Sequence, residues 1–166
     1  MRRARSRGQA LVEFALVSTV MLVIVLGIVD FGYLFASRGG MYGAGRGAAR
    51  FAATHPTAWT ASANPAATTI EGNLNLAAVP AKVPNDDAHI TITYLVPGAA
   101  AATACGSWSA TAGAFQAQPG YSQATCAAPG HLVQVTAVFV YAFITPLLRS
   151  TFSSVNVTVT SAAQVE

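Results

Sequence analysis

The chain has 166 residues, of which 53% are hydrophobic and only 9% are charged. Because ordinary soluble domains contain about 25% charged residues, this composition argues against a freely soluble enzyme, and the high hydrophobicity excludes a disordered chain. The formal charge of +3 comes from four arginines within the first seven residues. From residue 9 onward, the chain contains five basic and six acidic residues, and the basic ones form no continuous stripe. We therefore expect no nucleic-acid partner.

Residues 10–29 form an apolar run of 20 residues with one charge, Glu13. A helix of that length spans about 30 Å, the thickness of the hydrocarbon core of a bilayer. The arginines precede the run, so the positive-inside rule predicts a cytoplasmic N-terminus and an exported remainder. A cleaved secretory signal peptide is the alternative, which the length of the run and its carboxylate disfavour. Asp30 ends the run and is predicted to be a membrane-interface anchor or a contact to an assembly partner.

The carboxylate of Glu13 lies where lipid-facing side chains are normally apolar. A charged side chain costs about 2.5–3.5 kcal/mol at the bilayer centre and less near an interface, so Glu13 either snorkels to the headgroups or has a function. Cleavage after Gly8 would make Gln9 the first residue and would place its new ammonium one helical turn from Glu13. The ammonium of a second subunit would neutralise this carboxylate strongly in a low-dielectric environment.

These residues belong to a longer family pattern. Residues 8–16 read GQALVEFAL, residues 28–35 read IVDFGYLF, and residues 44–50 place two arginines four positions apart among small residues. The pattern resembles the TadE-like family, the minor pilins or pseudopilins of the tight-adherence (Flp pilus) system, which have a type IV prepilin-type N-terminus. The resemblance implies a bacterial cytoplasmic-membrane protein of a kind that can be incorporated in a pilus. It also implies cleavage after Gly8 by a prepilin peptidase, and partnership with other pilin or pseudopilin subunits and the Tad assembly platform.

Residues 33–54 are predicted to continue the helix beyond the bilayer. Gly39, Gly43 and Gly47 recur at four-residue spacing, which lets a second helix approach closely. A flexible joint is the alternative, because each glycine costs a helix interior about 1 kcal/mol relative to alanine. Pro56 predicts that the helix ends nearby, since the residue before a proline is pushed out of the α region.

The predicted organisation has three parts: a basic leader (1–8), a transmembrane and membrane-proximal helix (9–54), and an extracytoplasmic domain (55–166). In the domain, a short helix is expected after Pro65, and residues 146–149 are predicted to form a turn or short helix. Alternating apolar residues predict strands at residues 89–96, 132–144 and 155–159, whereas the Ala/Thr/Ser-rich stretch 99–114 predicts a loop. The predicted fold class is therefore α+β, a long N-terminal transmembrane helix with a small antiparallel sheet, as in pilins.

Cys105 and Cys126 are the two cysteines of the chain, 21 positions apart. In an exported domain they predict one disulfide, worth about 3 kcal/mol by loop closure. A metal site with His131 is the alternative, but it lacks paired-ligand spacing. The sequence contains no constellation typical of catalysis, so we expect no enzyme activity, no cofactor and no small-molecule substrate. The major pilus subunit and a membrane-anchored ligand-binding or sensor module are the alternative functions.

Overall fold

The computed structural model of the chain describes residues 3–78, 82–98 and 101–166. Within them lie the helices α1 (Arg3–Thr54), α2 (Ile70–Ala77), α3 (Gln123–Cys126) and α4 (Pro146–Phe152). The strands are β1 (Ile90–Val96), β2 (Thr103–Ser109), β3 (Ala114–Ala117), β4 (Leu132–Ala142) and β5 (Ser154–Gln164). The long apolar helix and the small antiparallel sheet confirm the predicted α+β class.

The chain divides into two compact units. The first contains the N-terminal part of α1 up to Phe35 together with residues 142–155, and the second contains residues 36–141 and 156–166. The first unit therefore combines the apolar run with α4. The second unit holds most of the sheet, α2, α3 and the C-terminal part of α1.

Helix α1 contains the predicted apolar run and continues without interruption to Thr54. Within the described residues, it is the one helix with a stretch long and apolar enough to cross a membrane, which is compatible with single-pass anchoring. Ser18 and Thr19 are accommodated because their hydroxyls donate to the Ala15 carbonyl, at 3.0 and 2.8 Å. Residues 39–47 are helical despite their glycines, which agrees with the predicted continuation of the helix and not with a flexible joint.

In the second unit, the C-terminal part of α1 packs on the sheet through small side chains. Its buried residues are Met41, Ala44, Ala48, Ala49, Ala52 and Ala53. Gly45 lies directly on β5, since a Cβ built there would be 3.1 Å from the Ser161 hydroxyl and 3.2 Å from a methyl of Val159. The absence of a side chain at this position therefore allows the close approach of helix and strand.

The sheet has the order β3-β2-β1-β4-β5. Strand β1 pairs antiparallel with both β2 and β4, with Ile92 opposite Trp108 on one side and Val135 on the other. The predicted alternation holds, because Ile90, Ile92 and Tyr94 are buried on β1. The buried residues of β4 and its end are Val133, Val135, Ala137, Phe139, Tyr141 and Phe143. The three predicted strands and the helix after Pro65 are confirmed within these bounds.

The prediction of a loop over residues 99–114 is wrong at residues 103–109 and at residue 114, while residues 99 and 100 lie outside the described residues. Residues Thr103–Ser109 form β2, and Ala114 begins β3, neither of which was predicted. Small residues conceal the strand pattern, but β2 pairs with β1 along its length and is held by the burial of Cys105. Pairing with an edge of the sheet therefore overrides weak local β-propensity.

The predicted disulfide is present between Cys105 on β2 and Cys126 at the end of α3, with Cα atoms 5.8 Å apart. Both residues are fully buried. His131, the third member of the alternative metal site, has its Nδ1 3.1 Å from the Cys126 carbonyl oxygen. The disulfide links α3, a helix that the sequence did not predict, to the sheet.

Candidate membrane and assembly surface

The run of residues 10–29 in α1 presents a surface that is apolar except at Glu13, Ser18 and Thr19. Its large side chains have exposed fractions between 70% at Phe14 and 39% at Leu26. Soluble proteins do not leave a patch of this length uncovered, so the surface requires lipid or other protein around it. The structure thus leaves the predicted membrane segment free for that environment.

The predicted processing residues lie at the start of this surface. Gly8, Gln9 and Glu13 are all exposed, and no atom lies within 4 Å of a Cβ built at Gly8. Gln9 and Glu13 occupy successive turns of α1, because four residues make about one helical turn. The arrangement leaves the peptide bond after Gly8 sterically open, although helical, and places the Glu13 carboxylate on the outside of the helix.

Asp30 has partners within the first unit that the sequence did not predict. One carboxylate oxygen accepts a hydrogen bond from the Ile144 backbone N–H at 2.8 Å, and the other accepts from the Thr145 N–H at 3.1 Å and from the Thr145 hydroxyl. The Asp30 side chain is completely buried. Thr145 precedes α4 and makes no capping bond with its own side chain, so Asp30 fixes the entry to this helix.

Aromatic rings extend the contact around Asp30. Phe31 meets Phe143 edge to face, with ring centroids 6.4 Å apart, and Phe143 lies 6.0 Å from Phe152 of α4. Such ring pairs add to the stabilisation from their buried area. The order Thr-Pro at 145–146 is a helix-start signal, but nothing near it in the sequence points to Asp30.

The glycines predicted to pack against another helix do not do so within the described chain at Gly39 and Gly43. Both are exposed, and nothing lies within 4 Å of a Cβ built at either position. Gly47 is half-buried, with the Asn73 side chain 3.8 Å from such a Cβ. The row therefore remains a prediction for contact with a second chain, whereas Gly45 serves the contact with β5.

Gly43→Ala and Gly45→Leu form a matched pair that separates these two surfaces. Gly43→Ala is expected to raise the free energy of unfolding by about 0.5–1 kcal/mol, because alanine favours the helix and meets no neighbour. Gly45→Leu is expected to lower it by about 1–3 kcal/mol, because the side chain must displace β5. Thermal unfolding of the full chain in detergent measures both; equal shifts would contradict the packing described for Gly45.

A buried carboxyl group lies in the second unit at the start of α2. Glu71 is completely buried, and its Oε1 accepts a hydrogen bond from the Thr60 N–H at 3.3 Å. Its Oε2 has no hydrogen-bond partner among the described residues. Burial raises the pKa of Glu71, and hydrogen bonds from backbone N–H groups oppose this only in part. Nothing in the local sequence predicts this burial, since an acidic residue in the first turn of a helix is ordinarily solvated.

Aromatic residues occupy the same part of the second unit. The Trp59 ring N–H donates to the Tyr94 hydroxyl at 3.1 Å, and this hydroxyl donates to the Pro56 carbonyl. Trp59 also stacks on Trp108, with centroids 5.2 Å apart. Burial, and to a lesser extent the charge of Glu71, raises the pKa of Tyr94. These aromatic residues connect the segment that follows α1 to β1 and β2, and they form part of the hydrophobic core of the second unit.

The raised pKa of Glu71 predicts that stability falls as pH rises. The folded chain binds this proton more tightly than the unfolded chain, whose ordinary pKa is about 4.5. The stabilising contribution is therefore complete below that value and is lost as pH rises through the folded-state pKa. Glu71→Gln is expected to abolish this decline in denaturant-unfolding series of the full chain.

Asp86→Asn is the control, because Asp86 is expected to change stability with pH in the direction opposite to Glu71. A hydrogen bond with His89 is the largest cause that lowers the pKa of Asp86, so this carboxylate stabilises the fold above its ordinary pKa and loses that effect as pH falls. An unchanged pH profile in Glu71→Gln would show that Glu71 is solvated in the folded chain.

Within the described ranges, no group of three or more His, Cys, Asp or Glu side chains could hold a metal ion. Asp87 is exposed, and its carboxylate accepts hydrogen bonds from the Ser109 hydroxyl at 2.7 Å and from the Ala110 N–H at 2.6 Å. The exposed features of α1 that can contribute to function are the apolar face, the Glu13 carboxylate, and Gly39 and Gly43 of the glycine row.

Comparison with known proteins finds a family model that matches one part of the chain. Residues 8–50 match the family model described as TadE-like protein, which confirms the resemblance seen in the sequence. The matched range covers Gly8, Glu13, Asp30 and the glycine row, and it corresponds to α1 without its first five and last four residues. Searches of curated proteins and of solved structures give no significant match.

Proposed function

We propose that this chain, whose residues 8–50 match the TadE-like family and indicate a protein associated with the Tad pilus, is a minor pilin or pseudopilin that takes part in pilus assembly. The observation that carries the proposal is the coincidence of the family match with a helix whose apolar side chains are exposed. A helix of this kind spans the membrane before assembly and packs against other subunits afterwards. The work of the protein is association rather than catalysis.

The proposed topology follows from the distribution of charge. Arginines precede the apolar run, which favours a cytoplasmic leader (1–8), a helix (9–54) that crosses the membrane once, and an extracytoplasmic domain (55–166). A prepilin peptidase, active on the cytoplasmic side, then cleaves between Gly8 and Gln9. The small, exposed Gly8 supports this cleavage site.

Intact-mass measurement of the chain extracted from membranes tests the processing step. In a host that has the peptidase, we expect the mass to decrease by that of residues 1–8. Gly8→Leu is expected to block the loss, because a bulky side chain replaces an open position next to the cleaved bond. Gly39→Leu is the matched control, since it changes an equally open glycine of α1 and leaves cleavage intact. An unprocessed wild-type chain would contradict the proposal.

The abundance of the chain in sheared pili separates a minor subunit from the major subunit. A trace amount relative to the main filament protein supports the minor role, whereas a stoichiometric amount contradicts it. Replacement of residues 9–32 by a generic membrane helix gives an independent test. We expect it to abolish assembly, because the proposed function depends on the helix surface itself; retained function would indicate an anchored ligand-binding or sensor module instead.

A further inference from the structure

The connection between β4 and β5 packs against the part of α1 that lies inside the apolar run. The two segments enclose a groove of about 400 Å³ in the first unit. The residues that line it from α1 are Leu22, Val23, Leu26, Gly27 and Phe31, and those from the connection are Thr145, Pro146 and Leu148. Apart from the Thr145 hydroxyl, which donates to Asp30, these side chains are apolar.

The position of this groove along α1 determines its environment. Leu22 lies seven residues before Val29, the last residue of the apolar run, which is about 10 Å along the helix axis. Because Pro146 and Leu148 share a groove with Leu22, the connection reaches into the same leaflet whenever α1 spans a bilayer. The large apolar side chains of Ile144 and Phe152 are 60% and 57% exposed, so the connection also has an apolar outer surface.

The polar groups of the connection are arranged for such an environment. Backbone N–H groups at membrane depth need partners inside the protein, and Asp30 accepts bonds from the N–H groups of Ile144 and Thr145. Arg149 is the one charged residue between positions 143 and 153, and its side chain is exposed. A long arginine side chain reaches headgroup phosphates from a backbone that lies below them.

We propose that residues 143–152 form a second membrane contact, in which α4 lies in the extracytoplasmic leaflet beside α1 and lipid acyl chains fill the groove between them. The occupant is lipid because the groove is continuous with the apolar surface that faces the bilayer. This inference rests on the proposed membrane anchoring of α1. It adds that the exported part is held at the membrane by a short helix as well as by its tether.

Depth-dependent fluorescence quenching tests the proposal in single-copy nanodiscs of phosphatidylcholine and phosphatidylglycerol. Single cysteines replace Ile144 and Phe152 and carry an NBD label. The native cysteines form a disulfide and do not react. Leu76→Cys is the matched control, since Leu76 is an apolar residue 64% exposed in the second unit. Ser18→Cys, inside the apolar run, reports the insertion of α1 itself. Lipids with a doxyl group near the glycerol end of the acyl chain quench from the shallow part of the membrane, lipids with the group near the methyl end quench from its centre, where position 18 lies, and iodide quenches from water.

We expect the labels at positions 144 and 152 to lose most of their fluorescence to doxyl lipid and to resist iodide, whereas the label at position 76 does the reverse. Iodide quenching at 144 and 152 would overturn the inference, as would protection from both quenchers, which would indicate a protein cover. Equal lipid quenching at position 76 would overturn it by showing general adsorption. A label at position 18 that lipid does not quench would overturn the proposed anchoring as well, and so separates the two failures.

Discussion

Replacing Asp30 with alanine is expected to release the β4–β5 connection from α1, at a cost of about 2–4 kcal/mol in the stability of that contact. The change removes the acceptor for the N–H groups of Ile144 and Thr145 and for the Thr145 hydroxyl. Each buried donor left without a partner costs about 1–3 kcal/mol. Since Asp30 and Thr145 are buried, water does not readily replace the oxygens lost to the Thr145 donors, whereas Ile144 is 60% exposed and its N–H reaches solvent more easily.

Hydrogen exchange of the full chain in detergent measures this effect where it arises. A loss of 2–4 kcal/mol corresponds to an acceleration of about 30-fold or more in the exchange of amides that open with the connection. Peptides covering residues 143–152 are expected to show it, whereas those from β1 are expected to keep their protection.

Two variants show whether the burial of Asp30 causes the effect. Asp87→Ala also removes a carboxylate that accepts three hydrogen bonds, from Ser109, Ala110 and Thr111, but it lies in an exposed turn. We expect a cost of about 1 kcal/mol there, because water replaces the acceptor. Asp30→Asn is expected to be intermediate, since its amide oxygen accepts but its NH₂ group faces donors. Equal effects of Asp30→Ala and Asp87→Ala would contradict the structural role assigned to Asp30.

The helices and strands that could be predicted from the sequence are those in which one continuous segment shows a regular pattern of apolar residues. The apolar run predicted α1, and alternating β-branched or aromatic residues predicted β1, β4 and β5. Small residues show no such periodicity, so the sequence predicts a loop where the structure has β2 paired with β1. A strand of this composition is determined by the partner edge, which lies elsewhere in the chain.

The candidate site also contains some residues that a local motif predicts and others whose role depends on distant contacts. Gly8, Gln9 and Glu13 lie within one short motif and were recognisable from their spacing. The partners of Asp30 lie 114 and 115 positions away, so local sequence could not reveal that this carboxylate organises a distant helix start. The same reason hides the burial of Glu71. Charged residues with a structural role in this chain depend on contacts that only the fold creates.

Glu13→Ala is expected to reduce pilus assembly strongly while leaving the amount of membrane-inserted chain unchanged. In the proposed assembly, the carboxylate of one subunit meets the α-ammonium that cleavage creates at Gln9 of another. Removing the carboxylate leaves that ammonium unpaired in a low-dielectric environment. A charged group there costs about 2.5–3.5 kcal/mol, which corresponds to an association constant lower by about 70- to 400-fold.

The variants Glu13→Gln and Ser18→Ala distinguish charge pairing from helix packing. Glu13→Gln preserves size and hydrogen bonding without the charge, so we expect it to assemble nearly as poorly as Glu13→Ala. Ser18→Ala changes another polar residue of the apolar run, but its hydroxyl bonds to Ala15 of the same helix, so assembly is expected to remain normal. Immunoblots of sheared pili, normalised to the processed chain in membranes, provide the comparison. If Glu13→Ala assembled at the wild-type level, the carboxylate would have no part in subunit pairing, and the exposed apolar face and the row of Gly39 and Gly43 would have to align the subunits alone.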